Sequence, residues 1–125
     1  MRIALLLLVV TALASPTIAG DESKAIQQLI EEINAGAKTN KTRMVRILVL
    51  NTDIAADQLE AEKKRTGLSY GDIYVAHSLA LATRKNFDQI ISFKKSGLSW
   101  SQIAQLHNCS LKGSTAALRQ MLKEG

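Results

Sequence analysis

Apolar residues recur along this chain with the spacing of an α-helix rather than of a strand. Between residues 25 and 33 they fall at i, i+1, i+4, i+5 and i+8, and glutamine and glutamate lie outside this stripe. Gly36 is predicted to end this first helix. Later helices are predicted at 42–50, 54–65, 70–84, 87–95, 100–107 and 114–123. The pattern predicts an all-α fold, a small bundle of six or seven short helices that contains a duplicated helical hairpin.

Capping residues mark the start of three of these helices. Ser69, Asn86 and Ser99 are predicted to cap the fourth, fifth and sixth helices. A glutamine follows Asn86 and Ser99 three residues later (Gln102 in the second case), which completes a capping box; at Ser69 the box is imperfect because Asp72 replaces the glutamine. The final helix is expected to begin after a break at Leu111-Lys-Gly113, with Ser114 as its cap.

The segment 70–83 is apolar on nearly every side. A helix of this kind is buried, since no face of it is suited to water. We therefore expect it at the centre of the bundle, with its alanines allowing neighbouring helices to approach closely.

Two stretches of the sequence resemble each other at a constant offset of 30 residues from Gly67 onward. The matched pairs are Gly67 and Gly97, Leu68 and Leu98, Ser69 and Ser99, Tyr70 and Trp100, Ile73 and Ile103, and His77 and His107. Such a period predicts a repeated helical hairpin, covering about 57–84 and 88–118. The glycines are expected to end a helix in a left-handed conformation and the serines to cap the next one. Basic doublets before the glycines suit helix C-termini.

The N-terminus has the features of a cleavable secretory signal peptide. Arg2 precedes an uncharged apolar run that is too short to span a bilayer, and Pro16 breaks any helix there. Small residues allow cleavage before Gly20, which we prefer, or before Ser15. The expected organisation is a signal peptide at 1–19, an N-terminal helical segment at 20–53 and a helical domain at 54–125. The predicted location is periplasmic or secreted.

The amino-acid composition indicates one hydrophobic core of modest size and little more. The chain has 16 Lys and Arg against 11 Asp and Glu, and a formal net charge of +5. Cys109 is the only cysteine, so no internal disulfide forms, although a dimer through Cys109 is an open alternative. We predict no cofactor and no transmembrane span after signal cleavage.

Three kinds of site were weighed against structural explanations. The stretch 97–110 resembles the first helix and turn of a DNA-binding helix-turn-helix, but Asn108 replaces the usual glycine, Gly113 interrupts the next helix, and export disfavours nucleic acid. The stretch 95–104 also resembles the start of a LysM peptidoglycan-binding module, but that module needs flanking strands, including a closing Pro-Gly strand, and this chain has no proline after Pro16. No residues have the order or spacing of a catalytic site, so the chain is not predicted to be an enzyme.

The two histidines and the two repeat aromatics are the candidates for a binding surface. His77 and His107 occupy equivalent repeat positions and, with Asp72 or Cys109, would be the only basis for a metal site, but no ligand-spaced cluster exists. Tyr70 and Trp100 either form an aromatic groove or pack in the core.

The chain also resembles a group of small, uncharacterised, exported bacterial proteins with a Gly-[Trp/Tyr]-Gly-x-Ile-Ala segment ahead of a Gly-Ser-rich final turn. The matching stretches here are Leu68-Ser-Tyr-Gly-Asp-Ile73, Trp100-Ser-Gln-Ile-Ala104 and Leu111-Lys-Gly-Ser114, and Ser101 stands where the second copy would have glycine. The resemblance implies export and a helical fold, and no activity. The predicted function is a non-enzymatic module that binds an unknown protein or cell-envelope component, with DNA or peptidoglycan binding as alternatives.

Overall fold

The computed structural model describes residues 23–111 and 115–124, and within them the fold is all-α with seven helices. The first helix, α1, spans 23–39. The others are α2 (Lys41–Thr52), α3 (Ala56–Thr66), α4 (Tyr70–Thr83), α5 (Phe87–Lys95), α6 (Trp100–Leu106) and α7 (Ala116–Glu124). The predicted fold class of a small helical bundle is confirmed.

The first helix is longer than the sequence predicted, because Gly36 does not end it. Helix α1 continues to residue 39, and Asn40 then caps α2 by accepting a hydrogen bond from the Arg43 amide. A Cβ atom at position 36 would collide with the side chain of Met44, which is buried. Gly36 therefore lies within α1 and faces the end of the Met44 side chain, and it does not end the helix.

Helix α4 lies at the centre of the core, as its apolar sequence predicted. Seven of its residues are buried: Tyr70, Gly71, Ile73, Tyr74, Val75, Ala76 and Leu79. It packs against α2, α3, α5 and α6, whereas α7 packs mainly against α2. The end of α4 leaves the core, and Leu81 is 81% exposed. One hydrophobic cluster includes residues of α1 and α2 as well as of the later helices.

The helix ends around the repeated turns follow the predicted caps. Asn86 and Ser99 form complete capping boxes, and Ser69 accepts a hydrogen bond from the Asp72 amide. Gly67 ends α3 in the left-handed region at φ 74°, whereas α5 ends at Ser96 and the left-handed glycine, Gly97, follows at φ 108°. Both glycines thus take the backbone conformation that their positions require.

Three predictions lie outside the described residues: the signal peptide at 1–19, the Gly113 break and the Ser114 cap. In the part of the chain that is described, no helix combines the length and apolar character that a bilayer span requires.

Candidate functional site

Tyr70 and Trp100, the two aromatic residues of the repeats, are buried rather than arranged as an open groove. Their exposed fractions are 7% and 5%. Each ring packs in the core and each polar atom binds a carboxylate: the Tyr70 hydroxyl donates to Glu60, and Trp100 Nε1 donates to Asp72 Oδ1 at 2.9 Å. The structure therefore favours the packing alternative, and these two rings do not form the accessible surface that was one interpretation of the sequence.

A lysine from the preceding helix covers each ring. Lys63 Nζ lies 4.0 Å from the centroid of the Tyr70 ring, and Lys94 Nζ lies 4.8 Å from that of Trp100. Both distances are within the range of a cation–π interaction. The lysines were predicted only to favour the helix dipole, and the structure gives them this additional contact.

His77 forms, with Glu62, the most buried of the pairs between basic and acidic side chains in the described residues. Its Nε2–H donates to Glu62 Oε1 at 2.6 Å, and the side chains are 10% and 7% exposed. Gln58 Nε2 donates to the other oxygen of Glu62 at 3.2 Å, and the Phe87 ring stacks on His77 with 4.5 Å between centroids. Because these contacts occupy the carboxylate and one face of the imidazole, the pair links α3 to α4 structurally.

His107 has a different environment from His77. Its Nδ1 lies 2.9 Å from the Ile103 carbonyl oxygen, and its ring contacts the edge or face of Phe93 at 5.3 Å. The contacts of the two histidines have no residue in common. Across residues 23–111 and 115–124, no group of three or more His, Cys, Asp and Glu side chains is arranged to hold a metal ion.

The helix-turn-helix resemblance extends to one backbone feature and then stops. Asn108 takes a positive φ of 53°, the conformation for which the motif uses glycine. The next helix, however, begins only at Ala116, after α6 has ended at Leu106. A DNA-binding motif joins its two helices by a turn of about 3–4 residues. Among the described helices, α7 packs against α2 instead.

A concavity with an apolar floor lies between α2 and α3. This open groove of about 560 Å³ is lined by Lys41, Thr42, Val45, Arg46, Val49, Ala56 and Glu60. Val45 and Val49 are half-buried and form its floor with Ala56. Lys41 Nζ lies 3.7 Å from Glu60 Oε2 at the rim, whereas Arg46 forms no ion pair within the described chain. We call this feature the α2–α3 groove.

The sequence reasoning missed the α2–α3 groove. On α2, one apolar stripe is buried in the core and consists of Met44, Ile47 and Leu48. The signal that the sequence reasoning passed over is the second apolar stripe on the same helix, Val45 and Val49 at i and i+4. On α2 the first apolar stripe is fully buried, whereas the stripe of Val45 and Val49 is only half-buried.

No protein-family model matches the chain, and no curated protein or solved structure is significantly similar to it.

Proposed function

We propose that this chain is an exported, non-enzymatic helical module that binds a protein partner through the α2–α3 groove. The observation that supports this most is the apolar floor of Val45, Val49 and Ala56, which the described helices leave open. Apolar grooves on a protein surface are one of the recurring sites at which a partner helix binds.

The shape of the groove favours a helical segment of the partner. Val45 and Val49 are one turn apart on α2, so the apolar floor runs along the helix axis. An amphipathic helix fits such a surface by presenting its own apolar residues at positions i and i+4.

The charge around the groove favours acidic residues beside the apolar ones of the partner. Arg46 is exposed and unpaired within the described residues, Lys41 is only weakly engaged at 3.7 Å, and the whole chain has a net charge of +5. Complementary charge raises the association rate and selects the partner. The proposed occupant is therefore an acidic amphipathic helix of another protein.

Export is proposed from the leader of the sequence. An uncharged apolar run from Ile3 to Ala14 follows Arg2 and precedes small residues suitable for cleavage. An alkaline-phosphatase fusion at residue 30 tests this directly: we expect phosphatase activity and a mature N-terminus at Gly20. A fusion without activity would contradict export and favour the DNA-binding alternative.

Partner binding is tested by placing a photo-crosslinking amino acid at position 49 in living cells. We expect one defined protein to be captured, with the crosslink in an acidic helix. The matched control is the same label at Leu81, an apolar residue that is 81% exposed on α4 and far from the groove in sequence. The proposal is wrong if both positions capture the same proteins, or if position 49 captures only a second copy of this chain or cell-wall material.

The binding energy is then measured with a synthetic peptide of the captured helix. Val49→Glu and Arg46→Glu are each expected to weaken its binding at least tenfold, and Leu81→Glu to leave it unchanged. Far-ultraviolet circular dichroism shows whether each variant is folded, so that a loss of peptide binding is not mistaken for a loss of the fold.

A further inference from the structure

Helix α2 has three basic residues, and only one of them is hydrogen-bonded within the described part of the fold. Arg43 Nη2 donates to the Met121 carbonyl oxygen of α7 at 3.0 Å, so this guanidinium group already has a partner. Lys41 and Arg46 are exposed and line the α2–α3 groove. Among the described residues, Arg46 forms no ion pair, and Lys41 forms only the long contact with Glu60. The groove therefore has two cations whose N–H groups can bind a partner.

These two cations lie on opposite flanks of the apolar stripe of α2. Lys41 precedes Val45 by one turn and faces α3, because its ammonium group lies 3.7 Å from Glu60 Oε2. Arg46 lies about 140° further round the helix, and Val45 and Val49 point between the two directions. In the notation of coiled coils, the valines occupy positions d and a, and the two cations occupy the adjacent positions g and e. Charges at e and g select the partner in this kind of packing.

Tyr70 binds the carboxylate that lies nearest to Lys41. The Tyr70 hydroxyl donates its proton to Glu60 Oε2, which is also the oxygen that faces Lys41. At 3.7 Å the Lys41 ammonium group lies beyond hydrogen-bond distance from that oxygen. Tyr70 is 7% exposed and Lys63 covers its ring, so the hydroxyl is fixed in the core. Glu60 is therefore held toward the core, and Lys41 keeps its N–H donors for another carboxylate.

We infer that the α2–α3 groove selects a partner helix with acidic side chains on both flanks of its apolar stripe, one binding Lys41 and the other Arg46. Tyr70 is a positioning residue, since its bond to Glu60 keeps that carboxylate from competing for Lys41. The inference rests on the proposed function and adds the charge pattern of the partner. Because the two cations are separated by about 7.5 Å along α2, the two acidic residues of the partner are offset by a similar distance.

Two designed peptides of identical composition test this pattern. Both are amphipathic helices with a leucine stripe; the first carries its glutamates on both flanks of the stripe, and the second carries them on the opposite face. We expect the first peptide to bind about tenfold more tightly by fluorescence anisotropy, the value of two exposed ion pairs. Val49→Glu should abolish the binding of both peptides.

The two peptides also separate this inference from the proposed function. If both peptides bind equally and Val49→Glu abolishes the binding of both, the groove is a binding site and only the inferred charge pattern is wrong. If neither peptide binds to the unchanged protein, the proposed groove and the inference are both contradicted.

Single variants assign the two acidic contacts. Lys41→Met and Arg46→Met should each weaken binding of the first peptide about fourfold and leave the second unchanged. The matched control is Lys95→Met, which removes an exposed cation of α5 outside the groove and should leave both peptides unchanged. If Lys95→Met weakens the first peptide as much as Lys41→Met does, the attraction comes from the net charge and the inference is wrong.

The positioning role of Tyr70 has a readout of its own. Tyr70→Phe releases Glu60 toward Lys41, so it should weaken binding of the first peptide about threefold. In a Glu60→Gln background, which removes the charge and keeps an acceptor oxygen for the hydroxyl, Tyr70→Phe should have no effect on peptide binding. Circular dichroism shows that each variant is folded. An equal loss in both backgrounds would mean that Tyr70 acts through the fold and not through Glu60, and would overturn its assignment as a positioning residue.

Discussion

The turn before α4 and the turn before α6 share Gly-Leu-Ser followed by an aromatic residue, and in both turns the ring is buried beneath a lysine. Their serine caps have nearly the same backbone angles, φ −75° and ψ 168° at Ser69 and φ −78° and ψ 164° at Ser99. The two serine caps therefore have the same backbone geometry, although the helices before them end differently. What differs is the side chain three residues after each serine and the side chain two residues after it.

The residue three positions after the serine cap determines whether the capping box is complete. Gln102 reaches back to the Ser99 amide and completes a capping box. Asp72 has a shorter side chain, and its carboxylate instead accepts from the Ser69 hydroxyl and from the indole of Trp100. The shorter, acidic side chain of Asp72 thus gives up the return hydrogen bond of the capping box and forms a link between the two repeats, while Ser69 still caps its helix.

The histidines show the same divergence. Before the glycines, the two repeats are aligned by their basic doublets, Lys63-Lys64 and Lys94-Lys95. In this alignment Glu62 and Phe93 occupy equivalent positions, because each directly precedes a doublet. Glu62 accepts a hydrogen bond from His77, and Phe93 contacts the ring of His107. In the first repeat, a buried hydrogen bond between His77 and Glu62 joins the two helices of the hairpin. In the second repeat, an aromatic contact between Phe93 and His107 does so.

The largest expected effect comes from removing the buried carboxylate. Glu62→Ala should lower the free energy of unfolding by about 3 kcal/mol, the upper end for a buried group that loses its hydrogen-bond partner, because His77 Nε2 is left without its acceptor. His107→Ala in the second repeat should cost about 1 kcal/mol, the value of one hydrogen bond to a carbonyl. Urea unfolding measures both values. Equal losses at the two positions would show that the repeats do not differ in this way.

Gly71→Ala should destabilise the protein by about 3 kcal/mol, the upper end for overpacking. The added Cβ would lie 2.7 Å from the Ile30 backbone oxygen and 2.8 Å from its Cα, so helix α1 must shift. Helix propensity alone predicts the opposite sign, a gain of about 1 kcal/mol. The matched variant Ser101→Ala should cost less than about 1 kcal/mol, since it removes only a hydrogen bond between hydroxyls. A stabilised Gly71→Ala protein would exclude the close approach of α1.

Asp72→Ala should cost about 2 kcal/mol, because the buried indole N–H of Trp100 loses its acceptor. Asp72→Asn keeps an acceptor oxygen and should cost less. In a double-mutant cycle with Trp100→Phe, we expect a coupling energy of about 1 kcal/mol between the two positions. Additive effects would mean that the link between the repeats contributes nothing to stability.

The features that the sequence predicted correctly are local ones. The side chains of Asn86 and Ser99 form their capping hydrogen bonds with groups within three residues. These caps therefore depend little on the rest of the fold. Gly36 was predicted wrongly because its conformational signal is also local, whereas the contact that fixes its role is with Met44 on the next helix. Tertiary packing overrides propensity at such a position.

The sites that the sequence did not predict are formed by distant segments. Glu62 stands in the charged stretch Glu60–Arg65, which is typical of a solvated helix face, yet it is buried against His77. The groove floor combines Val49 with Ala56 across the turn between α2 and α3. Neither arrangement follows from periodicity, since each depends on the angle at which two helices cross.

The smallest expected effect is a pH dependence of stability that Tyr70 should confer and Trp100 should not. Burial raises the pKa of Tyr70 above its ordinary value, and the hydrogen bond and negative charge of Glu60 raise it further. A folded-state pKa above the unfolded one means that the stabilisation is fully present below about pH 10, the pKa in the unfolded chain, and is lost as the pH rises through the folded pKa. Trp100 has no titrating proton in this range, so its anchor lacks this dependence.

Tyr70→Phe should therefore lower the free energy of unfolding by about 1 kcal/mol at pH 7, where the hydroxyl donates to Glu60. Above about pH 10 the difference should shrink and then reverse, because only the unfolded tyrosine releases its proton readily. Tyr74, whose pKa burial also raises, is present in both proteins and cancels in the comparison. Urea unfolding at pH 7, 9 and 10.5 measures the difference. A constant difference across this range would show that the Tyr70 hydroxyl is not held protonated by its burial and by Glu60.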